Sequence, residues 1–147
     1  EKTQPKEMIL QIGNKDNHTN KETLFKCIYQ FNEEFNKRYG TNAHILNIAI
    51  HGDETTNHAH IRFICDYTDI DGVKKIGTDK ALRQLGIKPP KQTAKTDRYN
   101  NALRTFTEQI RFIWNTIIKK NGIELDETLS PAEKLKVVQK LMEADDD

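Results

Sequence analysis

The sequence predicts an α+β fold: an antiparallel β-sheet with helices packed on one face and a histidine-bearing face left open. Three observations predict it. Residues 45–51 and 58–65 alternate side-chain character at the two-residue period of a strand, and residues 52–57 between them are rich in turn formers. Leu24, Ile28, Phe31, Phe35 and Tyr39 recur at steps of three and four, as do Tyr99, Leu103, Phe106, Ile110, Ile113, Trp114 and Ile117, which marks two amphipathic helices. Finally, the order strand, helix, strand, strand and then helices suits a sheet covered on one side only.

Taken in order, residues 1–6 are polar. Met8, Leu10 and Ile12 alternate with Ile9 and Gln11 as a short strand, which Gly13 and Asn14 end. Residues 17–20 offer caps for the first helix, and Gly40 stops it. In the next run Leu46, Ile48 and Ile50 point one way and Asn47, Ala49 and His51 the other, because side chains alternate faces along a strand. Residues 52–57 are expected to turn the chain back. In the following run Ala59, Ile61, Phe63 and Cys65 form the apolar set, opposite His58, His60, Arg62 and Ile64.

Beyond the second run, Asp69 to Gly72 reads as a turn, with a short strand at residues 73–76. Residues 78–85 read as a helix capped at Thr78 or Asp79 and ended by Gly86. Lys88, Pro89, Pro90, Lys91 and Lys95 define a non-helical basic segment, expected to be a mobile loop able to close over a DNA strand. Thr96 or Asp97 is expected to cap the second long helix, which Gly122 ends. Residues 123–125 suggest an edge strand. Ser130-Pro131-Ala132-Glu133 is a capping box opening a last helix through Leu135, Val138, Leu141 and Met142, before a disordered acidic end at residues 145–147.

The 147 residues suit one domain, with a core at 7–126 and a C-terminal helix and acidic tail at 127–147. The chain begins at Glu1, so it is expected to be a piece of a longer protein. With neither a membrane-spanning apolar run nor a signal-peptide pattern, the expected setting is the cytoplasm, with no membrane partner. Cys27 and Cys65 fall on apolar faces and read as buried free thiols. The net charge of +1 conceals an asymmetry. Residues 74–120 carry twelve Lys and Arg against three acids, whereas residues 121–147 carry three against eight. A basic middle suits a phosphate backbone.

The chemistry concentrates in residues 47–67. Antiparallel pairing of the two runs would gather His51, His58 and His60 on one face, the geometry of a three-nitrogen metal site with positions open to water or phosphate oxygen. His18 and His44 are assigned to the surface. Nitrogen ligands favour Mn²⁺, Zn²⁺, Co²⁺ or Ni²⁺ over Mg²⁺, which prefers oxygen.

The stretch His51-Gly52-Asp53-Glu54-Thr55-Thr56-Asn57-His58-Ala59-His60 resembles the His-x-Asp-Glu-x-Thr-Pro-His-x-His signature of MobV-type plasmid mobilisation relaxases, also called plasmid recombination enzymes. His58-Ala59-His60 matches the His-hydrophobic-His element of the wider HUH endonuclease superfamily. Phe35 to Gly40 and Ile117 to Glu124 are similar to flanking segments of those proteins, so the resemblance covers residues 8–126. Asn57 stands where the family has proline. The resemblance implies a bacterial relaxase that nicks and joins single-stranded or hairpin DNA at a plasmid transfer origin during mobilisation, conjugation and recombination. It implies His51, His58 and His60 as ligands of a divalent ion, Mn²⁺ first and Mg²⁺ or Zn²⁺ as alternatives, on the exposed face of the sheet. Glu54 matches the acid that orients or activates the nucleophile. The family's N-terminal nucleophilic histidine has no counterpart here: either the segment that carries it precedes Glu1, or another residue attacks, with Tyr99 the candidate, as in rolling-circle replication initiators and related transposases. Other expectations compatible with the same residues are a Zn²⁺ hydrolase with Glu54 as general base and a non-catalytic nucleic-acid-binding module.

Overall fold

The computed structural model describes residues 4–11, 13, 14, 17, 18, 21–51 and 58–122. They form β1 (Lys6–Gln11), β2 (Gly13–Asn14), β3 (Asn17–His18), α1 (Lys21–Tyr39), β4 (Ala43–His51), β5 (His58–Thr68), β6 (Lys74–Ile76), α2 (Thr78–Gln84) and α3 (Ala102–Lys120). The fold is α+β. A four-stranded antiparallel sheet runs β1-β5-β4, with β6 also pairing β5, and β2 and β3 make a separate two-stranded ribbon. The expected turn at residues 52–57, the strand at 123–125, the helix opening at Ser130 and the acidic end lie outside the described residues, as does the side chain of His18.

Strand alternation decides which face is covered. Met8 and Leu10 of β1 and Ala59, Ile61, Phe63 and Cys65 of β5 are buried against Leu24, Cys27, Phe31 and Phe35 of α1 and Phe106, Ile110, Trp114 and Ile118 of α3. Both cysteines are free and buried. The helices run antiparallel: Tyr39, near the end of α1, donates from its hydroxyl to Gln109 Oε1 at 2.8 Å, while Asn121, past the end of α3, donates from Nδ2 to Gln30 Oε1 at 2.9 Å. Burial pushes the Tyr39 phenol up to about 12. Trp114 Nε1 donates to the Gln11 carbonyl at 2.9 Å, tying α3 to the end of β1. Gly40 follows α1 where its amide bonds to the Asn36 carbonyl, and a Cβ there would fall 2.3 Å from that oxygen, so only glycine fits.

Four expectations are corrected. Leu46 does not join Ile48 and Ile50 on the covered face: the β4–β5 register shifts between Ile45 and Asn47, and Leu46 is left 54 % exposed. The bulge inserts one residue, so Ile45 takes the inward position before it and Ile48 and Ile50 after it. The cap of α2 is neither Thr78 nor Asp79 but Gly77, without a side-chain hydrogen bond. A Cβ at Gly77 would lie 2.8 Å from Tyr67 Cε1, so the packed ring excludes a capping side chain.

The start of the long helix also moves, from Thr96 or Asp97 to an Asn101 cap whose side chain accepts from the Arg104 amide. Asp97 caps a turn instead, accepting from the Tyr99 and Asn100 amides at 2.9 Å. The basic segment before it is not an unbraced loop. Buried Asn100 accepts from the Lys91 amide at 2.8 Å and donates to the carbonyls of Lys91 at 2.9 Å and Lys95 at 3.2 Å. Asn100→Ala would leave these backbone groups without partners. It is expected to cost about 1–3 kcal/mol in chemical denaturation and to raise proteolytic cleavage between Lys91 and Asn100.

Candidate metal centre

The strand pairing builds the site. β4 and β5 are antiparallel with His51 directly opposite His58 and Ala49 opposite His60. Directly opposed residues of an antiparallel pair share a face, and His58 and His60 share one by alternation. All three imidazoles therefore stand on the face away from α1 and α3. Their ring centres are 5.3 Å apart for His51 and His58, 4.6 Å for His51 and His60, and 4.9 Å for His58 and His60. His51 is exposed and the other two are half-buried.

Imidazoles sharing one ion at about 2.1 Å from each nitrogen have ring centres about 4.5–5.2 Å apart, for ligand angles of about 90–110°. The observed spacings lie in or next to that range. The donor atoms are less well aligned: the His51 and His58 planes are parallel to within 4°. Among the described residues no three His, Cys, Asp or Glu side chains present donors arranged to hold a metal ion. Spacing and donor alignment thus disagree. Backbone register fixes that the three side chains share a face, whereas ring spacing and donor alignment both depend on side-chain torsions, and the terminal torsion of histidine is broad. The donor chemistry, three imidazole nitrogens, is that of a borderline divalent ion.

A residue that sequence reasoning missed completes the cluster. Glu7 of β1 stands on the same face, and its Oε1 lies 2.5 Å from His60 Nδ1. β1 pairs β5 with Ile9 opposite His60 and Glu7 opposite Arg62, so the carboxylate reaches diagonally along the sheet. The pair is separated by 53 positions in sequence. Glu7 sits in a strand-like run with nothing to distinguish it from an ordinary solvent-facing acid. Arg62, which the alternation of β5 places on this face, is exposed there.

The other candidates fall elsewhere. Asp53 and Glu54 lie outside the described residues. Tyr99 is not in α3 but in the segment before it, 67 % exposed, with the Arg98 guanidinium carbon 5.9 Å from its ring centre. The neighbouring Asn101 and Leu103 line a groove with Tyr67, near the opposite end of β5 from His58. At about 3.3 Å per residue, that is a distance of tens of ångströms, so the structure does not bring Tyr99 to the histidines. Tyr29 projects into solvent from α1, Tyr39 is buried in the core and Tyr67 alternates onto the helix-covered side. None of the four tyrosines shares the histidine face. His44 is partly exposed and pairs with Asp66 Oδ1 at 3.0 Å, outside the cluster.

No family model matches the chain, and neither do any of the characterised proteins or solved structures compared with it. Among the described residues no helix is long and apolar enough to cross a membrane.

Proposed function

We propose that the chain is the metal-binding part of a relaxase-type endonuclease that nicks and rejoins single-stranded DNA at a plasmid transfer origin. The observation that carries the proposal is the gathering of His51, His58 and His60 on the face of an antiparallel sheet that none of the described helices covers, with ring centres 4.6–5.3 Å apart. An open face admits an extended strand, which a closed pocket would not. In this reading the three imidazoles hold a divalent ion, with Mn²⁺ preferred over Mg²⁺ for a nitrogen ligand set. When bound, the ion would supply Lewis-acid polarisation of a phosphodiester oxygen.

The chain's own residues do the positioning. Arg62 lies two residues along β5 from His60 on the same face, about 6.6 Å at strand spacing, where its guanidinium can hold a phosphate oxygen next to the scissile group. The further lysines and arginines between residues 74 and 120 add sequence-independent attraction for the backbone. The attacking group, in this reading, comes from outside the described residues, and Glu54 is the acid that orients it.

Two measurements test the proposal. Fluorescence anisotropy with a labelled single-stranded oligonucleotide should show affinity at least about tenfold higher in Mn²⁺ than in EDTA. Arg62→Glu should weaken binding to all sequences alike, and the salt slope should fall by about one for each phosphate that is no longer neutralised. Equal affinity with Mn²⁺ and with chelator would remove the metal from the reading. The covalent step is read on a denaturing gel with the N-terminally extended chain, Mn²⁺ and transfer-origin DNA. Absence of any nick or protein–DNA adduct there would overturn the relaxase assignment.

A further inference from the structure

We propose that Glu7 is a positioning residue of the histidine cluster, fixing which nitrogen of His60 faces the open side of the sheet; this rests on the metal-binding reading above. A neutral imidazole carries its proton on one nitrogen only, and the hydrogen bond made by that nitrogen selects the tautomer. With Glu7 Oε1 2.5 Å from His60 Nδ1, the carboxylate accepts the Nδ1 proton and leaves Nε2 as the nitrogen with a free lone pair. Isolated neutral histidine favours the opposite tautomer, so the contact changes what His60 offers a ligand. Carboxylate–histidine pairs of this kind orient metal-binding imidazoles and raise their basicity.

Two features argue against a merely structural pair. The side chains are 43 % exposed at Glu7 and 26 % at His60, and carboxylate contacts that open to solvent add little to stability. Arg62 is the residue directly opposite Glu7 in register, yet the carboxylate bonds to the imidazole diagonal to it rather than to the permanent cation it faces. The β1–β5 register is held from the other side of the sheet by buried Met8 and Leu10, so Glu7 is delivered to His60 by core packing.

The experiment uses long-range ¹H–¹⁵N correlation spectra of the metal-free protein and Mn²⁺ titration calorimetry, on wild type, Glu7→Ala, Glu7→Gln and His58→Ala. Glu7→Ala should move His60 toward the Nε2–H tautomer and lower Mn²⁺ affinity about 10–100-fold. Glu7→Gln keeps a carbonyl oxygen able to accept from Nδ1–H, so it should retain the tautomer and most of the affinity. An unchanged His60 tautomer in Glu7→Ala overturns the positioning role whatever the calorimetry gives. Unchanged affinity in Glu7→Ala alongside lost affinity in His58→Ala overturns it as well, with the metal site intact. Unchanged affinity in His58→Ala would instead sink the three-histidine reading, and the tautomer of His60 would still decide whether Glu7 orients it.

Discussion

His58→Ala is expected to lower Mn²⁺ affinity by more than about 100-fold, the largest functional effect of any single substitution in the chain. His58 is the geometric link of the cluster: it faces His51 across the β4–β5 ladder and shares its side of β5 with His60. Its removal leaves two imidazoles and separates a cross-strand pair. Loss of an outer partner of a metal ligand costs about 10–100-fold, and loss of a ligand itself should exceed that. The fold should be little affected, because His58 is only half-buried and lies opposite the core. Calorimetry with Mn²⁺ measures the loss, and a thermal melt of the metal-free protein separates it from unfolding. His44→Ala is the control: its ring is engaged with Asp66, and affinity should stay within about twofold of wild type. Equal affinities for wild type and His58→Ala would mean that the cluster holds no ion.

Phe35→Ala is expected to be the most destabilising substitution, at about 3–5 kcal/mol. Phe35 is fully buried, and its ring centre lies 5.9 Å from that of Phe31, 5.3 Å from Tyr39, 6.1 Å from Phe63 and 6.2 Å from Phe106. It therefore joins α1 to β5 and to α3 at once. The cavity left by its removal is walled by elements that cannot all close in, because they are held to one another elsewhere, as by the Tyr39–Gln109 hydrogen bond. Against a total stability of about 5–15 kcal/mol for a domain, the loss would leave a large unfolded fraction near physiological temperature. Urea denaturation should show a lower midpoint with an unchanged slope, and Phe35→Leu should recover most of the difference. A midpoint unchanged by Phe35→Ala would contradict the packing described. Phe63 lies on the same strand as His60 but on its opposite face, so this aromatic cluster is also what holds the histidine strand against the helices.

The sequence was legible where structure depends on near neighbours. The stripe from Leu24 to Tyr39 predicted α1, and its inward residues are buried. The alternation in residues 58–65 predicted β5 and assigned its two faces correctly. It misled where a local signal had two outcomes. Asp97 is a good cap for a helix and equally for a turn. The choice went to the turn because buried Asn100 closes the preceding loop onto Lys91 and Lys95. Likewise Leu46 continues an unbroken alternation in sequence, and only pairing with β5 shows the extra residue.

What the sequence by itself determined is that His58 and His60 share one side of a strand and that His51 can join them, because a two-residue period leaves a pleated chain no other choice. What only the tertiary structure decided is the company they keep. Glu7 reaches His60 across 53 positions because burial of Met8 and Leu10 sets β1 against β5 in one register, and a slip of one residue would have turned Glu7 into the core. Tyr99 was kept from the histidines by the same kind of long-range choice, the packing of α3 with Trp114 at the Gln11 end of the sheet, opposite His58, and its start near Tyr67. Neither outcome is written in the neighbouring residues, since both depend on which distant apolar surfaces pack together.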